Sequence, residues 1–293
     1  MDSPIGLTAG PVILTVPKLY RHLGTVSMSR IQKIFRQLKR EKKKALIPFI
    51  TAGDPSLSET MKLIALLEKA GADIIELGMP FSDPMADGPV IQASSERSLK
   101  KGTNLKKILT LVGEVRKRSQ IPILLMGYYN PVFAFGVKAF AQSASKAGVD
   151  AVLIVDVPPE ESAEVKDELD KVGIDLIFLV APTTSIERMK KIAHLSRGFI
   201  YYVSMTGVTG ASLNQWDSIQ HQITQLRRLT RLPIAVGFGI STPKEAQRVA
   251  TMADGVVIGS ALIRQMAGRS PVQARQRIST MIRQYKLALS RSF

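Results

Sequence analysis

Short apolar runs alternate with amphipathic segments along most of the chain. Each run is rich in Ile, Val and Leu and has the length of a strand that is buried on both faces. The eight predicted strands span residues 45–51, 73–78, 121–126, 151–156, 175–180, 198–203, 232–236 and 255–258. Apolar residues at helical spacing between them predict helices over about 58–70, 104–118, 137–147, 159–172, 185–195, 214–229, 243–252 and 271–289.

Eight β-α repeats of this length are what a closed (β/α)8 barrel, the TIM barrel, requires. A doubly wound open sheet is the alternative, but the chain lacks a dinucleotide fingerprint. Ile31, Ile34, Phe35 and Leu38 form one apolar face before the first strand and predict a lid or flanking helix from Ser29. We therefore predict an α/β chain with one barrel domain over residues 28–293.

Four of the predicted strands follow a similar glycine-containing motif. The motif occupies residues 70–73, 147–150, 172–175 and 253–255, and it pairs glycine with aspartate. Glycine commonly ends a helix in the left-handed conformation. The motif therefore predicts four helix ends that turn directly into the next strand.

Residues 1–27 differ from the body of the chain. They have no clear hydrophobic period, contain three prolines and carry one acid, Asp2. We predict that this extension is disordered, and it is either a targeting segment or the product of a start codon upstream of Met28. The predicted location is the cytoplasm, with a plastid as the alternative if residues 1–27 target the protein.

Composition narrows the possible chemistry. The chain has no cysteine, which excludes disulfides, thiolate metal ligands and cysteine nucleophiles, and its three histidines lack ligand spacing. No apolar run approaches the roughly 20 residues of a membrane span. The net charge of +16 comes from Lys and Arg on helix faces and helix ends, and only 6% of residues are aromatic. This distribution favours a solvated helix surface over a nucleic-acid site.

Two carboxylates in different surroundings lie on and after the second strand. Glu76 stands among Ile74, Ile75 and Leu77, where desolvation should raise its pKa. Asp87 lies in a polar Asp-Gly turn and should ionise more easily. Such a pair can serve as a general acid/base beside a persistent anion. The residues alone also allow an ion-paired Glu76 and acids, Asp83 and Asp87, that merely form turns.

The loops after the last two strands have the composition of a phosphate site. Gly237-Phe238-Gly239-Ile240-Ser241 follows the seventh strand, and Gly259-Ser260 begins a short helical turn after the eighth. Glycine amides and a helix N-terminus attract anions, although a tight turn and an N-cap would explain the same residues. Asp156 is either a third catalytic acid or a buried strand-end cap, and Trp216 is predicted to pack.

From about Met28 onward the sequence resembles the tryptophan synthase α subunits. The stretch 75–88 looks like the signature of that family with few departures. The supporting matches are Pro48-Phe49 with Gly53-Asp54-Pro55, Tyr128 with Asn130-Pro131, Gly207-Val208-Thr209-Gly210, Gly237-Phe238-Gly239-Ile240 and Gly259-Ser260. One departure is Met205, where some members of the family have Arg.

The resemblance implies a lyase that cleaves indole-3-glycerol phosphate to indole and glyceraldehyde 3-phosphate by a retro-aldol route. Glu76 would be the general acid/base, and Asp87 would accept a hydrogen bond from the indole N–H. The implied substrate-binding residues are Phe49, Tyr128, Tyr201 and Thr209, the last on a mobile lid over 204–210. The implied phosphate-binding residues are Gly210, Phe238, Gly239, Gly259 and Ser260.

The resemblance also implies a partner and no cofactor or metal in this chain. The partner would be the pyridoxal-phosphate β subunit, in an αββα heterotetramer, contacted through the loop around Asp83 and the turn at Asn130-Pro131. One alternative is an α subunit that has lost turnover and only activates its β partner. A phosphosugar isomerase or epimerase would share the phosphate loops but would need a metal site or a differently placed base. RNA binding is a more distant alternative.

Overall fold

The predicted strands form one curled parallel sheet in a computed structural model that describes residues 28–203, 213–237 and 239–290. The predicted extension 1–27, the lid 204–210 and Phe238 lie outside these residues. The strands are β1 Ala45–Thr51, β2 Ile75–Gly78, β3 Ile123–Gly127, β4 Ala151–Ile154, β5 Asp175–Leu176, β6 Leu179–Val180, β7 Ile200–Val203, β8 Ile234–Gly237 and β9 Gly255–Ile258. Every pair that they form is parallel.

Helices surround this sheet. They are α1 Arg30–Arg40, α2 Leu57–Ala70, α3 Pro89–Lys100, α4 Leu105–Arg116, α5 Tyr129–Phe135, α6 Val137–Ala147, α7 Ala163–Lys171, α8 Ile186–Leu195, α9 Leu213–Leu229, α10 Pro243–Ala250, α11 Ser260–Ile263 and α12 Pro271–Ser290. No described helix is long and apolar enough to cross a membrane. The cytoplasmic location stays a prediction.

The sheet closes on itself through the predicted fifth strand. Its order is β5-β4-β3-β2-β1-β9-β8-β7-β6, so β5 and β6, the two halves of segment 175–180, occupy its two edges. Between these halves the Ile177 amide donates to the Val152 carbonyl at 2.9 Å, and the Tyr201 amide donates to the Phe178 carbonyl at 3.1 Å. One chain segment therefore joins both edges, and the predicted (β/α)8 barrel is confirmed.

Four predicted strands, 73–78, 121–126, 198–203 and 232–236, begin two residues before the observed strands. Aspartates lie directly before or close to the start of β2, β4 and β9: a carboxylate oxygen of Asp73, Asp150 and Asp254 accepts a backbone N–H from a neighbouring strand segment at 2.7, 2.8 and 2.9 Å. Each aspartate also forms an ion pair with Lys or Arg. These aspartates therefore cap the amino end of the barrel.

The glycine motif behaves as predicted in three cases and differently in the fourth. Gly71, Gly148 and Gly173 have φ of 110°, 86° and 74°, the left-handed conformation that ends a helix. The prediction for 253–255 is wrong. There α10 is followed by a C-cap at Thr251 in the right-handed conformation, and Gly255 is already the first residue of β9.

Side-chain alternation divides the core into two layers. On β1, Ala45, Ile47 and Phe49 belong to the cluster inside the barrel, whereas Leu46 and Ile50 belong to the layer under the outer helices. Helix α1 packs against the inner cluster, and the ring centroids of its Phe35 and of Phe199 lie 5.5 Å apart.

Polar contacts hold α1 at the amino end of the strands. Ser29 Oγ donates to Asp175 at 2.6 Å, and Arg30 pairs with Asp150 at 2.9 Å. Asp150 and Asp175 each lie at the start of a strand. The predicted lid or flanking helix is therefore a flanking helix that closes the amino end of the barrel, on the side opposite the carboxyl ends of the strands.

Candidate active site

Glu76 projects into the barrel from β2. It is paired in register with Phe49 on β1 and Leu124 on β3, both members of the inner cluster, while Ile75 and Leu77 face the outer layer. The residue is 1% exposed. Among the described residues, neither carboxyl oxygen has a hydrogen-bond partner. An apolar strand thus holds inside the barrel a carboxyl group that no described side chain or backbone group pairs with.

This environment changes the pKa of Glu76. Burial raises it to about 8, and the charge of Asp87 adds to the increase. Glu76 is therefore largely protonated near neutral pH and can donate a proton or, once ionised, accept one. Such an acid/base needs only a substrate atom within hydrogen-bond reach.

Asp87 ionises at lower pH than Glu76, as its position predicted. Burial raises the pKa of Asp87 to about 6, and a hydrogen bond from the Tyr128 hydroxyl opposes that increase. The two pKa values therefore differ in the predicted order. The turn is, however, less polar than the sequence suggested, because the pKa of Asp87 lies above its ordinary value.

Tyr128, at the end of β3, holds the loop that carries Asp87. Its hydroxyl accepts the Ala86 N–H at 3.0 Å and donates to the Asp87 carboxylate. Burial and the charge of Asp87 raise the pKa of Tyr128 to about 12, so it remains a donor. Tyr128 was predicted to bind substrate; the structure gives it a contact with a candidate catalytic acid, and direct substrate contact stays a prediction.

Two aromatic side chains lie beside Glu76 because glycines make room for them. A Cβ on Gly78 would lie 2.6 Å from the Phe49 ring, and one on Gly237 would overlap the Tyr201 hydroxyl. The pKa of Tyr201 is raised well above its ordinary value by burial and by the charge of Glu76. The structure thus brings Phe49, Tyr201 and Glu76 together at the interior of the barrel.

The proposed phosphate loops are neighbours. Strands β8 and β9 pair through Val236 and Val256, and they lead to Gly239, which has φ of 77°, and to Gly259, the N-cap of α11. Ser260 is half-buried and opens α11. Gly259 also borders Phe49, since its Cβ would lie 3.5 Å from the Phe49 Cβ. The predicted residues Phe238, Thr209 and Gly210 lie outside the described parts of the chain.

Two other predictions concern structural residues. Asp156 is exposed rather than buried, and its carboxylate accepts the N–H of Tyr129, the first residue of α5, at 2.8 Å. It therefore caps α5, the helix after the neighbouring strand β3, and not its own strand. Trp216 is 9% exposed and lies under the guanidinium of Arg248 at 4.9 Å, which confirms a packing role.

The sequence pattern did not predict α3, the helix that follows Asp87, or the contact of the Gln92 side chain with the backbone of Asp87. Gln92, on α3, donates to the Asp87 carbonyl at 2.8 Å. The buried residues of α3 are Ser94, Ser95 and Ser98, so the segment shows no apolar stripe. Pro89 at the first helical position was the available signal.

Comparison with known proteins agrees with this geometry. A family model described as "Tryptophan synthase alpha chain" matches residues 35–290. The tryptophan synthase alpha chain of Geotalea daltonii is 54% identical over 263 residues, covering 90% of this chain and 100% of the relative. That of Geobacter sulfurreducens is 52% identical over 255 residues, covering 87% and 97%.

Solved structures agree as well. The crystal structure of tryptophan synthase subunit alpha from Legionella pneumophila str. Paris has a TM-score of 0.81 and 41% identity, covering 90% of this chain and 99% of that one. The aminoacrylate-bound tryptophan synthase from M. tuberculosis has a TM-score of 0.80 and 28% identity, covering 89% and 99%.

A (β/α)8 barrel with a buried acid and a second carboxylate at the carboxyl ends of its strands defines an enzyme of the acid–base type. The matches specify which one: the chain belongs to the tryptophan synthase alpha chain family. It is thus a lyase with the role of the α subunit in tryptophan biosynthesis. In the described ranges no group of three or more His, Asp or Glu could hold a metal ion.

Proposed function

We propose that this protein cleaves indole-3-glycerol phosphate to indole and glyceraldehyde 3-phosphate, with Glu76 as the general acid/base. The observation that carries the proposal is the carboxyl group of Glu76, which has no hydrogen-bond partner among the described residues, is buried beside Asp87 and has a pKa raised to about 8. An inert buried acid would be expected to have hydrogen-bond partners. A carboxyl group without them is free to exchange a proton with a substrate.

The reaction can be written with these two side chains. Protonated Glu76 gives its proton to the indole ring carbon that bears the glycerol chain, and the ring becomes an indoleninium cation. Asp87, ionised above about pH 6, accepts a hydrogen bond from the indole N–H and stabilises that charge. The Glu76 carboxylate then takes the proton of the adjacent glycerol hydroxyl. The carbon–carbon bond breaks, its electron pair returns to the ring, and the hydroxyl becomes the aldehyde.

Phe49 and Tyr201 would line the indole site, while Gly239, Gly259 and Ser260, with Gly210 and Phe238, would hold the phosphate. The neighbouring positions of the loops after β8 and β9 support this assignment, since barrels commonly bind phosphate there. Thr209 would contact Asp87 when the lid closes. The reaction needs no organic cofactor or metal in this chain.

A pyridoxal-phosphate β subunit is the proposed partner, in an αββα assembly. Large apolar side chains remain exposed at the predicted contact face: Met85 in the Asp83 loop is 91% exposed, and Phe133, on the helix containing Asn130 and Pro131, is 63% exposed. The exposure of these two side chains supports the assignment of this face to the partner.

The test measures indole release from indole-3-glycerol phosphate by the full chain, with and without β subunit. We expect Glu76→Gln and Asp87→Asn each to lower kcat by at least about 100-fold while leaving the fold intact by circular dichroism. Glu164→Gln, an exposed carboxylate on α7, is the matched control and should keep full activity. Activity only in the β subunit, stimulated by an inactive wild-type chain, would instead establish the activator alternative.

A further inference from the structure

An ion pair between a buried carboxylate and a partly exposed arginine joins the loop after β1 to helix α3. Asp54 is 2% exposed, and Arg97 donates from Nε and Nη2 to its two carboxylate oxygens at 2.9 and 2.7 Å. Burying a carboxylate costs free energy unless it is paired, so the contact with Arg97 stabilises the buried position of Asp54. Neither residue has a part in the proposed proton transfers.

Helix α3 meets the barrel mainly through polar contacts. Its buried residues are Ser94, Ser95 and Ser98, and its partly buried Val90 and Ile91 lie in the first turn. The hydroxyls of Ser94 and Thr51 are 2.6 Å apart, and Ser98 Oγ donates to the Ala52 carbonyl at 2.5 Å. Directional hydrogen bonds therefore fix the place of this helix against β1 and its loop.

The amino end of α3 is coupled to Asp87. Gly88 is the N-cap of the helix, so Asp87 lies one residue before the cap. Gln92 adds a second link, because its side chain donates to the Asp87 carbonyl at 2.8 Å and to the Pro84 carbonyl at 3.4 Å. A shift of α3 would therefore move the backbone of Asp87.

We propose that Asp54 and Arg97 are a positioning pair for the reaction: by fixing α3 against the loop after β1, they hold the Asp87 carboxylate in place for the indole N–H. The inference rests on the proposed function. Arg97 is suited to this role because its planar fork matches both oxygens of Asp54, a geometry that Lys does not reproduce.

The experiment compares three variants and a control in the indole-release assay with β subunit. Arg97→Met should lower kcat by about 10- to 100-fold, because a displacement on the order of 1 Å is enough for such a loss. Its KM should stay within about threefold of wild type. Arg97→Lys should be intermediate. The double variant Asp54→Asn/Arg97→Met leaves no unpaired buried charge, folds more readily, and should show the same loss as Arg97→Met.

Arg227→Met is the matched control. Arg227 pairs with Asp254 at 3.0 Å and is 41% exposed, against 43% for the Arg97 side chain, but it lies at the amino end of the barrel. It should keep kcat within about twofold of wild type. Unchanged kcat in the double variant, or an equal loss in Arg227→Met, would overturn the inference. If wild-type protein and the control both release no indole, the proposed function itself fails.

Discussion

At the scale of single residues, the site depends on a carboxyl group that has no hydrogen-bond partner in the described part of the chain. Glu76 is buried in β2 with no described hydrogen-bond partner, and its pKa is about 8. An amide at this position would avoid the cost of ionisation. The chemistry that we propose for Glu76 should therefore oppose stability, a conflict typical of active sites.

Glu76→Gln should make stability less dependent on pH. The pKa of Glu76 is about 8 in the folded protein against 4.5 ordinarily, so the folded state keeps a proton that the unfolded chain has lost. The wild-type free energy of unfolding should consequently fall between about pH 4.5 and 8. At about 1.4 kcal/mol per pKa unit, a few kcal/mol of this fall should disappear in the variant. Urea unfolding of both proteins at pH 5 and pH 9 measures this difference. An equal fall in the free energy of unfolding in the wild type and the variant would contradict the burial of Glu76.

Tyr128→Phe should move the acidic limb of the activity profile. The Tyr128 hydroxyl donates to Asp87 and lowers its pKa from what burial alone would impose. Without that donor, Asp87 should ionise only above about pH 6, so the acidic limb of log kcat/KM should shift to higher pH. A pH series of indole release measures the shift. Tyr129→Phe is the control, because Tyr129 donates to the exposed Glu164 instead, and an equal shift in both variants would refute the contact.

At the scale of elements, the sequence pattern predicts those strands and helices whose positions are set by the burial of apolar side chains. Strand β1 and helix α6 have the predicted bounds, because a continuous apolar run and an amphipathic period each fix one location. Helix α3 could not be found this way, since its buried face is made of serines whose partners come from another part of the chain. The contact of Tyr128 with Asp87 likewise exists only once β2 and β3 are paired.

Helix α1, which closes the amino end of the barrel, should contribute strongly to stability. Phe35 is 4% exposed and packs inside the barrel against Phe199. Phe35→Ala should therefore lower the free energy of unfolding by about 3–5 kcal/mol, the usual cost of removing a buried aromatic ring. Arg36→Ala, on the exposed face of the same helix, should change it by about 0.5 kcal/mol or less. Urea unfolding measures both, and similar values for the two variants would contradict this packing.

At the scale of the whole molecule, several described acids that hold the fold are paired with Lys or Arg, as is Asp54 in the loop after β1, whereas the candidate catalytic carboxyl group is not. At the amino end, Asp73, Asp150 and Asp254 each pair with Lys or Arg. At the carboxyl end, the carboxyl group of Glu76 has no described partner. Some of the excess Lys and Arg residues thus form ion pairs with aspartates at the amino ends of the strands, a role that composition alone could not reveal.

Closure of the sheet also has a consequence during synthesis. Strand β1 pairs with β2, which follows it closely in the chain, and with β9, whose residues 255–258 are made long after those of β1. Until those residues leave the ribosome, one side of β1 has unpaired backbone N–H and C=O groups that another strand could bind. The barrel therefore cannot close from its first half alone, and the nascent chain carries an open strand edge until β9 has been made.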